Sequence, residues 1–98
     1  MEELLKLETW LNENGYVFTR TDETNIAGTE REAHQIIVYR MIYGTRLRIW
    51  DAIYSTGSYG YEKGLLEICG DIVDPDVSDT VEGFLTANDI IKRLEQNE

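Results

Sequence analysis

The fold of this chain is decided by its central stretch, which reads Ala33-His-Gln-Ile-Ile-Val-Tyr-Arg-Met-Ile-Tyr43, Gly44-Thr45 and Arg46-Leu-Arg-Ile-Trp-Asp-Ala-Ile-Tyr54. The two longer segments are rich in aromatic and β-branched residues, which favour strands. The dipeptide between them begins with glycine, which suits a two-residue type II′ turn. The stretch therefore predicts an antiparallel hairpin.

The register of this hairpin predicts which side chains lie in the core. The turn places Tyr39 opposite Trp50, and it puts Arg40 and Asp51 on the other face as diagonal neighbours suited to an ion pair. One face is then aromatic and basic. The other face is mostly aliphatic, and we expect it to form the core with Ile36, Val38, Ile42, Leu47, Ile49 and Ile53.

A helix is predicted before these strands. Between residues 2 and 14 three leucines recur at three- and four-residue spacing, which places them on one helical face. They are Leu4, Leu7 and Leu11. Gly15 supplies the left-handed residue at which helices commonly end.

A second helix is predicted near the carboxyl end. Thr86 and Asp89 have the spacing of a capping box, in which each side chain bonds to the backbone of the other residue. The helix then runs to about Gln96, and its apolar residues are Ile90, Ile91 and Leu94.

Two further strands, Tyr16–Thr21 and Leu65–Val73, complete the predicted order α-β-β-β-β-α. We expect an α+β fold, a two-layer sandwich in which an antiparallel sheet carries both helices on one face. Asp22–Glu32, Thr56–Gly64 and the acidic stretch that ends at Gly83 are predicted to be loops. Because so short a chain supports one core, a single domain is expected over residues 1–98.

The chain is strongly acidic, with 19 Asp and Glu against 9 Lys and Arg and a formal net charge of −10. Phosphates repel such a protein, which argues against nucleic acid as a partner unless basic residues are segregated into one patch. The charge favours a basic protein partner. Alternatively, it serves only to keep the protein soluble.

Cys69 is the only cysteine, which excludes an internal disulfide and a zinc site built from several cysteines. A reducing compartment is therefore expected. The first residues lack the basic and apolar segments of a secretory signal, and no apolar run has membrane-spanning length. We expect a cytoplasmic protein with no membrane partner.

One predicted surface has the composition of an interaction site, because aromatic residues and arginine are enriched at interface centres. It comprises the aromatic and basic hairpin face together with two tyrosines of the following loop. The candidate residues are Tyr39, Arg46, Arg48, Trp50, Tyr54, Tyr59 and Tyr61. In the alternative interpretation this face is ordinary sheet surface, or it is covered by a loop or a helix.

The loop glycines Gly57, Gly60 and Gly64 suggest a phosphate cradle, but the loop lacks the Lys-Ser/Thr ending of a P-loop. A connecting loop whose tyrosines pack on the sheet is the alternative. His34 and Cys69 would form a nucleophile and base only if they met in space. Otherwise His34 is structural or exposed and Cys69 is a small buried hydrophobe.

Acidic residues are dense between positions 71 and 82, and they are Asp71, Asp74, Asp76, Asp79 and Glu82. Their spacing does not match the calcium-binding loop of an EF-hand, although a metal role stays open beside that of a solvated connection. No catalytic residue and no cofactor is predicted, and we expect the chain not to be an enzyme.

Several segments of the C-terminal half are distinctive: Trp50–Ile53, Gly57–Glu62, Gly64–Ile68, Val81–Gly83 and Leu85–Ala87. They resemble small uncharacterised proteins encoded by phages and prophages of low-GC Gram-positive bacteria. The resemblance implies no assigned activity, but it implies a phage context and with it an inhibitor that acts on a host protein. The element order also resembles the double-stranded-RNA-binding fold, although the extra strand and the absence of a basic start to the second helix argue against that function.

These observations predict a non-enzymatic protein that binds and modulates or inhibits a basic host protein, in one version as a nucleic-acid mimic. The alternative is a small module that binds single-stranded nucleic acid through its aromatic and arginine-bearing sheet face. The oligomeric state stays open.

Overall fold

The computed structural model describes residues 1–76 and 80–96. Its helices and strands are α1 Glu2–Glu13, β1 Val17–Thr24, β2 Glu32–Ile42, β3 Thr45–Ser55, β4 Leu66–Gly70, β5 Val81–Leu85 and α2 Ala87–Gln96. The strands form one antiparallel sheet in the order β1-β2-β3-β4-β5. The predicted α+β class, with antiparallel strands between two helices, is confirmed.

The core lies on one face of the sheet, beneath both helices. Its sheet residues are Ile36, Val38, Trp50, Ala52, Leu66, Ile68 and Leu85. The helices contribute Leu4, Leu7 and Leu11 from α1 and Ala87, Ile90 and Leu94 from α2. Burying each large aliphatic side chain stabilises the fold by about 1.5–3 kcal/mol, so this layer supplies the main driving force. The other face of the sheet, opposite the helices, is called the open face below.

The hairpin turn lies one residue earlier than the sequence predicts. β2 ends at Ile42 and β3 begins at Thr45, so Tyr43 and Gly44 are the central residues. Their φ angles are +49° and +77°, the left-handed pattern of a type I′ turn. The predicted Gly44-Thr45 turn is therefore wrong. A type I′ turn matches the twist of the strands, and this match offsets the strain of a left-handed tyrosine.

An extra residue in β3 also corrects the predicted face assignment. Val38 pairs with Trp50 and the next residue, Tyr39, pairs with Arg48, so Ile49 is a bulge. One extra residue reverses the alternation of β3, and Trp50 therefore joins Val38 on the core face. The predicted pairing of Tyr39 with Trp50 is wrong, because the bulge buries the largest side chain of the hairpin.

The bulge changes the expected core in the same way. Of the six aliphatic residues expected in the core, Ile36 and Val38 are fully buried, whereas Ile42 and Leu47 are exposed and their expected burial is wrong. Ile49 is half-buried and packs against the core from the side. Ile53 pairs with Gln35 and lies on the open face.

The sheet has one strand more than the sequence predicts. β5 lies in the expected acidic connection, and it pairs with β4 through Leu85 and Val81. Its sequence, Val-Glu-Gly-Phe-Leu, has a charge and a glycine inside, which disfavour a strand. β1 is also longer than predicted and extends to Thr24, into the expected loop.

The predicted capping box of α2 is present. The Thr86 backbone N–H donates to Asp89 Oδ2 at 2.9 Å, and the Asp89 backbone N–H donates to Thr86 Oγ1 at 3.1 Å. The Ala87 backbone N–H donates to a carboxylate oxygen of Glu3 at 2.8 Å. The last bond joins the start of α2 to the first turn of α1. Within residues 1–76 and 80–96, no helix combines the length and apolar character needed to cross a bilayer.

A partly buried ion pair holds α2 against the sheet edge. Two nitrogens of Arg93 donate to the two carboxylate oxygens of Glu82, at 2.6 and 2.8 Å. Arg93 also donates to the Ile72 carbonyl oxygen, and the Asp74 backbone N–H donates to Glu82. The hydrogen bonds from Arg93 hold the pKa of Glu82 below its ordinary value. Glu82 thus binds α2 and the chain after β4 at once, which explains a buried acid inside β5.

Replacing Arg93→Met should lower the free energy of unfolding by about 2–4 kcal/mol, because it leaves the buried Glu82 carboxylate without its partner. Urea denaturation measures this loss. Lys92→Met is the control, an exposed position on the same helix where a change within about 0.5 kcal/mol is expected. Equal losses in the two variants would show that the pair does not stabilise the fold.

Candidate functional site

The hairpin projects beyond the rest of the sheet. β1 pairs with β2 only as far as Tyr39, and β4 reaches β3 only from Trp50 onward. Among the residues that the structure describes, 40–48 therefore form strand pairs only with each other, and we call this two-stranded projection the arm. Residues 40–48 are all exposed, so the core covers neither face of the arm.

The arm exposes large apolar side chains next to arginines. Its exposed apolar residues are Met41, Ile42, Tyr43 and Leu47, and Tyr43 at the tip is fully exposed. Its basic residues are Arg40, Arg46 and Arg48. Single apolar residues are common on protein surfaces, whereas a contiguous apolar group with a polar rim is typical of an interaction surface.

Charge is segregated between the arm and the rest of the protein. Residues 33–50 contain three arginines and no Asp, Glu or Lys, so this segment carries +3. All 19 acidic residues and the other six basic residues lie outside it, in residues 1–32 and 51–98, which we call the body. The body therefore carries a net charge of −13. The total of −10 conceals a basic arm on an acidic body.

Three of the seven predicted contact residues lie on the open face at and near the arm. The Arg46 guanidinium carbon is 5.3 Å from the centre of the Tyr39 ring. Arg48 donates to the Asp51 carboxylate at 2.9 Å, and Gln35 donates to the same oxygen at 2.6 Å. The predicted pairing of Asp51 with Arg40 is wrong, because the bulge moves Asp51 to the open face.

The other four predicted contact residues are dispersed. Trp50 is buried in the core and is not available to a partner. Tyr54, Tyr59 and Tyr61 lie at the opposite end of the sheet from the arm tip. The Tyr54 and Tyr61 rings are 4.7 Å apart, and both are half-buried, whereas Tyr59 is exposed. The structure therefore divides the predicted surface into two separate regions.

The tyrosine region contains a cavity of about 350 Å³, which we call the aromatic pocket. Its lining consists of residues 56–63 and Phe84. Phe84 has a left-handed φ of +58°, and both Phe84 and Tyr59 are exposed residues of this lining. The Lys63 ammonium nitrogen is 5.9 Å from the centre of the Phe84 ring. The pocket therefore offers exposed aromatic surface with one cation at its rim.

The backbone at this pocket is tightly packed. The Phe84 N–H donates to the Tyr59 carbonyl oxygen at 3.2 Å, which attaches the loop to β5. A Cβ atom at Gly83 would overlap with the Tyr59 side chain, so only glycine fits there. A left-handed non-glycine residue such as Phe84 is strained, and such strain is found preferentially at functional sites. The wall of the pocket is thus formed by close backbone packing rather than by a loose loop.

A hydrogen-bonded network supports the pocket from inside. His34 is buried, with its Nδ1 atom 2.6 Å from Asp22 and its Nε2 atom 2.6 Å from Glu32. Glu32 also accepts a hydrogen bond from the Tyr61 hydroxyl at 2.7 Å. His34 thus connects the pocket loop to β1.

The network continues to the first helix. Arg20 donates to Asp22 at 3.1 Å and to Glu8 of α1 at 2.8 Å. The hydrogen bond with His34 holds the pKa of Asp22 below its ordinary value. Hydrogen bonds from Tyr61 and His34 lower the pKa of Glu32 in the same way. The residues satisfy each other's hydrogen bonds, which indicates a structural role and agrees with the structural interpretation of His34.

The sequence left open a nucleophile and base pair and a metal site, and the structure bears on both. His34 lies on the core face and Cys69 on the open face, so they form no nucleophile and base pair. Cys69 is exposed, and its expected burial is wrong, because it alternates with the buried Ile68 on β4. Among the residues described, no group of three or more His, Cys, Asp or Glu side chains is arranged to hold a metal ion. Asp79 of the acidic segment lies outside the described residues.

Neither a protein-family model, nor a curated protein, nor a solved structure matches this chain. The arm and the aromatic pocket therefore have to be interpreted from their own geometry and charge.

Acid should destabilise the protein partly through the His34 network. Asp22 and Glu32 have pKa values lowered by folding, so the stability that they contribute is present above their ordinary values and is lost as the pH falls through the lowered values. In Glu32→Gln, the free energy of unfolding should fall less steeply than in the wild type below about pH 4.5.

Urea denaturation at a series of pH values measures this slope. Glu30→Gln is the control, an exposed acid in the same connection whose side chain makes no hydrogen bond within the described residues. Its slope should equal that of the wild type. A slope in Glu32→Gln as steep as in the control would contradict the role given to the network.

Proposed function

We propose that this chain is a non-enzymatic protein-binding domain and that the arm is its docking surface. The observation that carries the proposal is the group of exposed apolar side chains on the arm, bordered by three arginines, on a protein that is otherwise acidic. Tyrosine and arginine are enriched among the residues that dominate binding energy. An exposed apolar group of this kind is costly to keep in water unless a partner covers it.

The charges of the arm and the body indicate the charge distribution expected on the partner. The arm, at +3, fits a surface that is apolar at its centre and acidic at its rim. The body, at −13, fits the basic protein that the net charge predicts, and its field would accelerate the encounter. We therefore propose a partner whose charges are arranged in the reverse order. A host protein inhibited by a phage-type modulator is one form of this partner.

The arm also suits docking because its conformation exists before binding. Its backbone is fixed by the antiparallel pairing of Arg40 with Leu47 and of Met41 with Arg46. A preformed surface loses little conformational entropy when it binds. Its side chains face both sides of the two-stranded ribbon, so it can insert into a groove rather than only rest on a flat surface.

A photo-crosslinking amino acid at position 43 should form covalent complexes with the partner protein in cells that produce this variant, because Tyr43 is fully exposed at the arm tip. These complexes are the crosslinked species. The same amino acid at position 92, an exposed position of the body, is the control and should give none of these species. Adding Met41→Ser and Leu47→Ser should remove the species formed from position 43.

The crosslinked protein, identified by mass spectrometry and purified, should bind the wild type at least about tenfold more tightly than the Met41→Ser, Leu47→Ser variant. Binding should also weaken when salt is raised from about 50 to 500 mM. Identical species from positions 43 and 92, or none from position 43, would refute the arm as the docking surface.

A second candidate function is the binding of single-stranded nucleic acid. One observation favours it: the absence of acidic residues between positions 33 and 50 gives the segregated basic patch that an acidic protein needs for this purpose. Tyr39, Arg46 and Arg48 on the open face supply an aromatic ring and cations. Trp50, in the core, takes no part in this version.

If this second function applies, a labelled single strand should bind the protein at about 50 mM salt, as measured by fluorescence anisotropy. Arg46→Ala should lower the affinity at least about tenfold. Lys92→Ala on α2 is the control and should leave the affinity unchanged. An absence of binding at micromolar protein would exclude nucleic acid as the partner of the open face.

A further inference from the structure

The arm tip and the aromatic pocket lie at opposite ends of the molecule. β3 begins at Thr45 beside the tip and ends at Ser55, directly before the loop that lines the pocket. Its 11 residues span roughly 35 Å at the usual rise of a strand. The longest dimension of the molecule is 41 Å. The arm tip and the aromatic pocket thus lie at the two ends of the molecule along the direction of the central strands.

The two ends are complementary in shape. At one end, Tyr43 projects from a tight turn with Met41, Ile42 and Leu47 behind it. At the other, the pocket of about 350 Å³ presents the exposed rings of Tyr59 and Phe84. An aromatic side chain prefers edge-to-face or offset contact with other rings, which adds to the gain from burying apolar area. The pocket is larger than one tyrosine side chain and is open to solvent.

The two ends are also complementary in charge. The arm carries +3 and no acid. The pocket end comprises the loop of residues 56–64 and the adjoining residues 21–32, which are attached to it through the bonds of Glu32 with Thr56 and Tyr61. Its acids are Asp22, Glu23, Glu30, Glu32 and Glu62, and its bases are Arg31 and Lys63. This end therefore carries −3, and opposite ends of two copies attract each other.

From this geometry we infer that the arm of one copy docks at the aromatic pocket of a second copy, with Tyr43 between Tyr59 and Phe84. The inference rests on the proposed docking role of the arm and names its occupant. An arm-to-arm contact would instead bring six arginines together. The contact is head to tail, so each pair leaves one free arm and one free pocket. Association then continues into chains or closes into a ring.

Two matched variants test the contact without disturbing the backbone. Tyr43→Asn removes the ring at the tip and creates Asn-Gly, the preferred dipeptide for a type I′ turn. Phe84→Asn removes a ring from the pocket, and asparagine tolerates the left-handed φ found there. Leu5→Gln is the control, because Leu5 is an exposed apolar residue of α1 that belongs neither to the arm nor to the pocket lining.

Sedimentation velocity between about 5 and 500 µM should show the average mass of the wild type rising with concentration at about 50 mM salt and falling as salt is added. Tyr43→Asn and Phe84→Asn should each remain monomeric, whereas Leu5→Gln should behave as the wild type. Thermal unfolding of each variant, with a midpoint no lower than that of Leu5→Gln, shows that loss of association is not loss of fold.

An equal mixture of the two monomeric variants is the decisive sample. Phe84→Asn retains the arm and Tyr43→Asn retains the pocket, so they can form one contact and no second. The mixture should give dimers and nothing larger. A wild type that stays monomeric, a variant that still associates, or a mixture that stays monomeric or exceeds the dimer would overturn the inference.

The two proposals fail in different ways. If the wild type is monomeric but position 43 crosslinks to another protein in cells, the head-to-tail contact is wrong and the docking role of the arm is retained. If position 43 crosslinks to nothing and the wild type is monomeric, both proposals fail. Crosslinks of the chain to itself from position 43, lost in Phe84→Asn, support both.

Discussion

The bulge at Ile49 is the local feature on which the remaining structure depends. By adding one residue to β3 it turns Trp50 and Ala52 to the face that already carries Ile36 and Val38. The helices cover that face, and β4 pairs with β3 only from Trp50 onward. Within the described part of the chain, the hairpin beyond the bulge pairs with no other strand and its residues are exposed. The same residue therefore completes the core and marks the start of the exposed arm.

Charge and apolar surface are distributed along the direction of the central strands. The acid-free segment includes the arm, while the network of Asp22, His34, Glu32 and Tyr61 lies at the other end. That network joins two carboxylates to one imidazole, so it gathers negative charge near the pocket and stabilises the loop that forms its wall. The protein therefore has a basic, apolar tip at one end and an acidic, aromatic region at the other, an asymmetry that its net charge does not reveal.

Much of the fold is predictable because its signals are local. The leucine spacing of α1 and the capping box of α2 act over a few residues, and both are present as predicted. β5 has no such signal, because Glu82 is stabilised in a strand by Arg93, which is 11 residues away and on another element. The candidate site is less predictable. Tyr39, Arg46 and Arg48 share a surface as expected. Met41, Ile42 and Phe84 were missed, because apolar residues ordinarily indicate the core and these three are exposed.

The sequence by itself determined the class of fold, the position of the hairpin within one residue, the capping box of the second helix and the segregation of charge. These depend on composition, spacing and backbone preferences that each residue carries with it. Only the tertiary structure decided which face of β3 is buried, which apolar residues remain in solvent and that Tyr43 and Phe84 lie at opposite ends. A one-residue bulge moves every later residue of the strand to the opposite face of the sheet. A sequence pattern shows that side chains alternate between two faces, but it does not show which face another strand or helix covers.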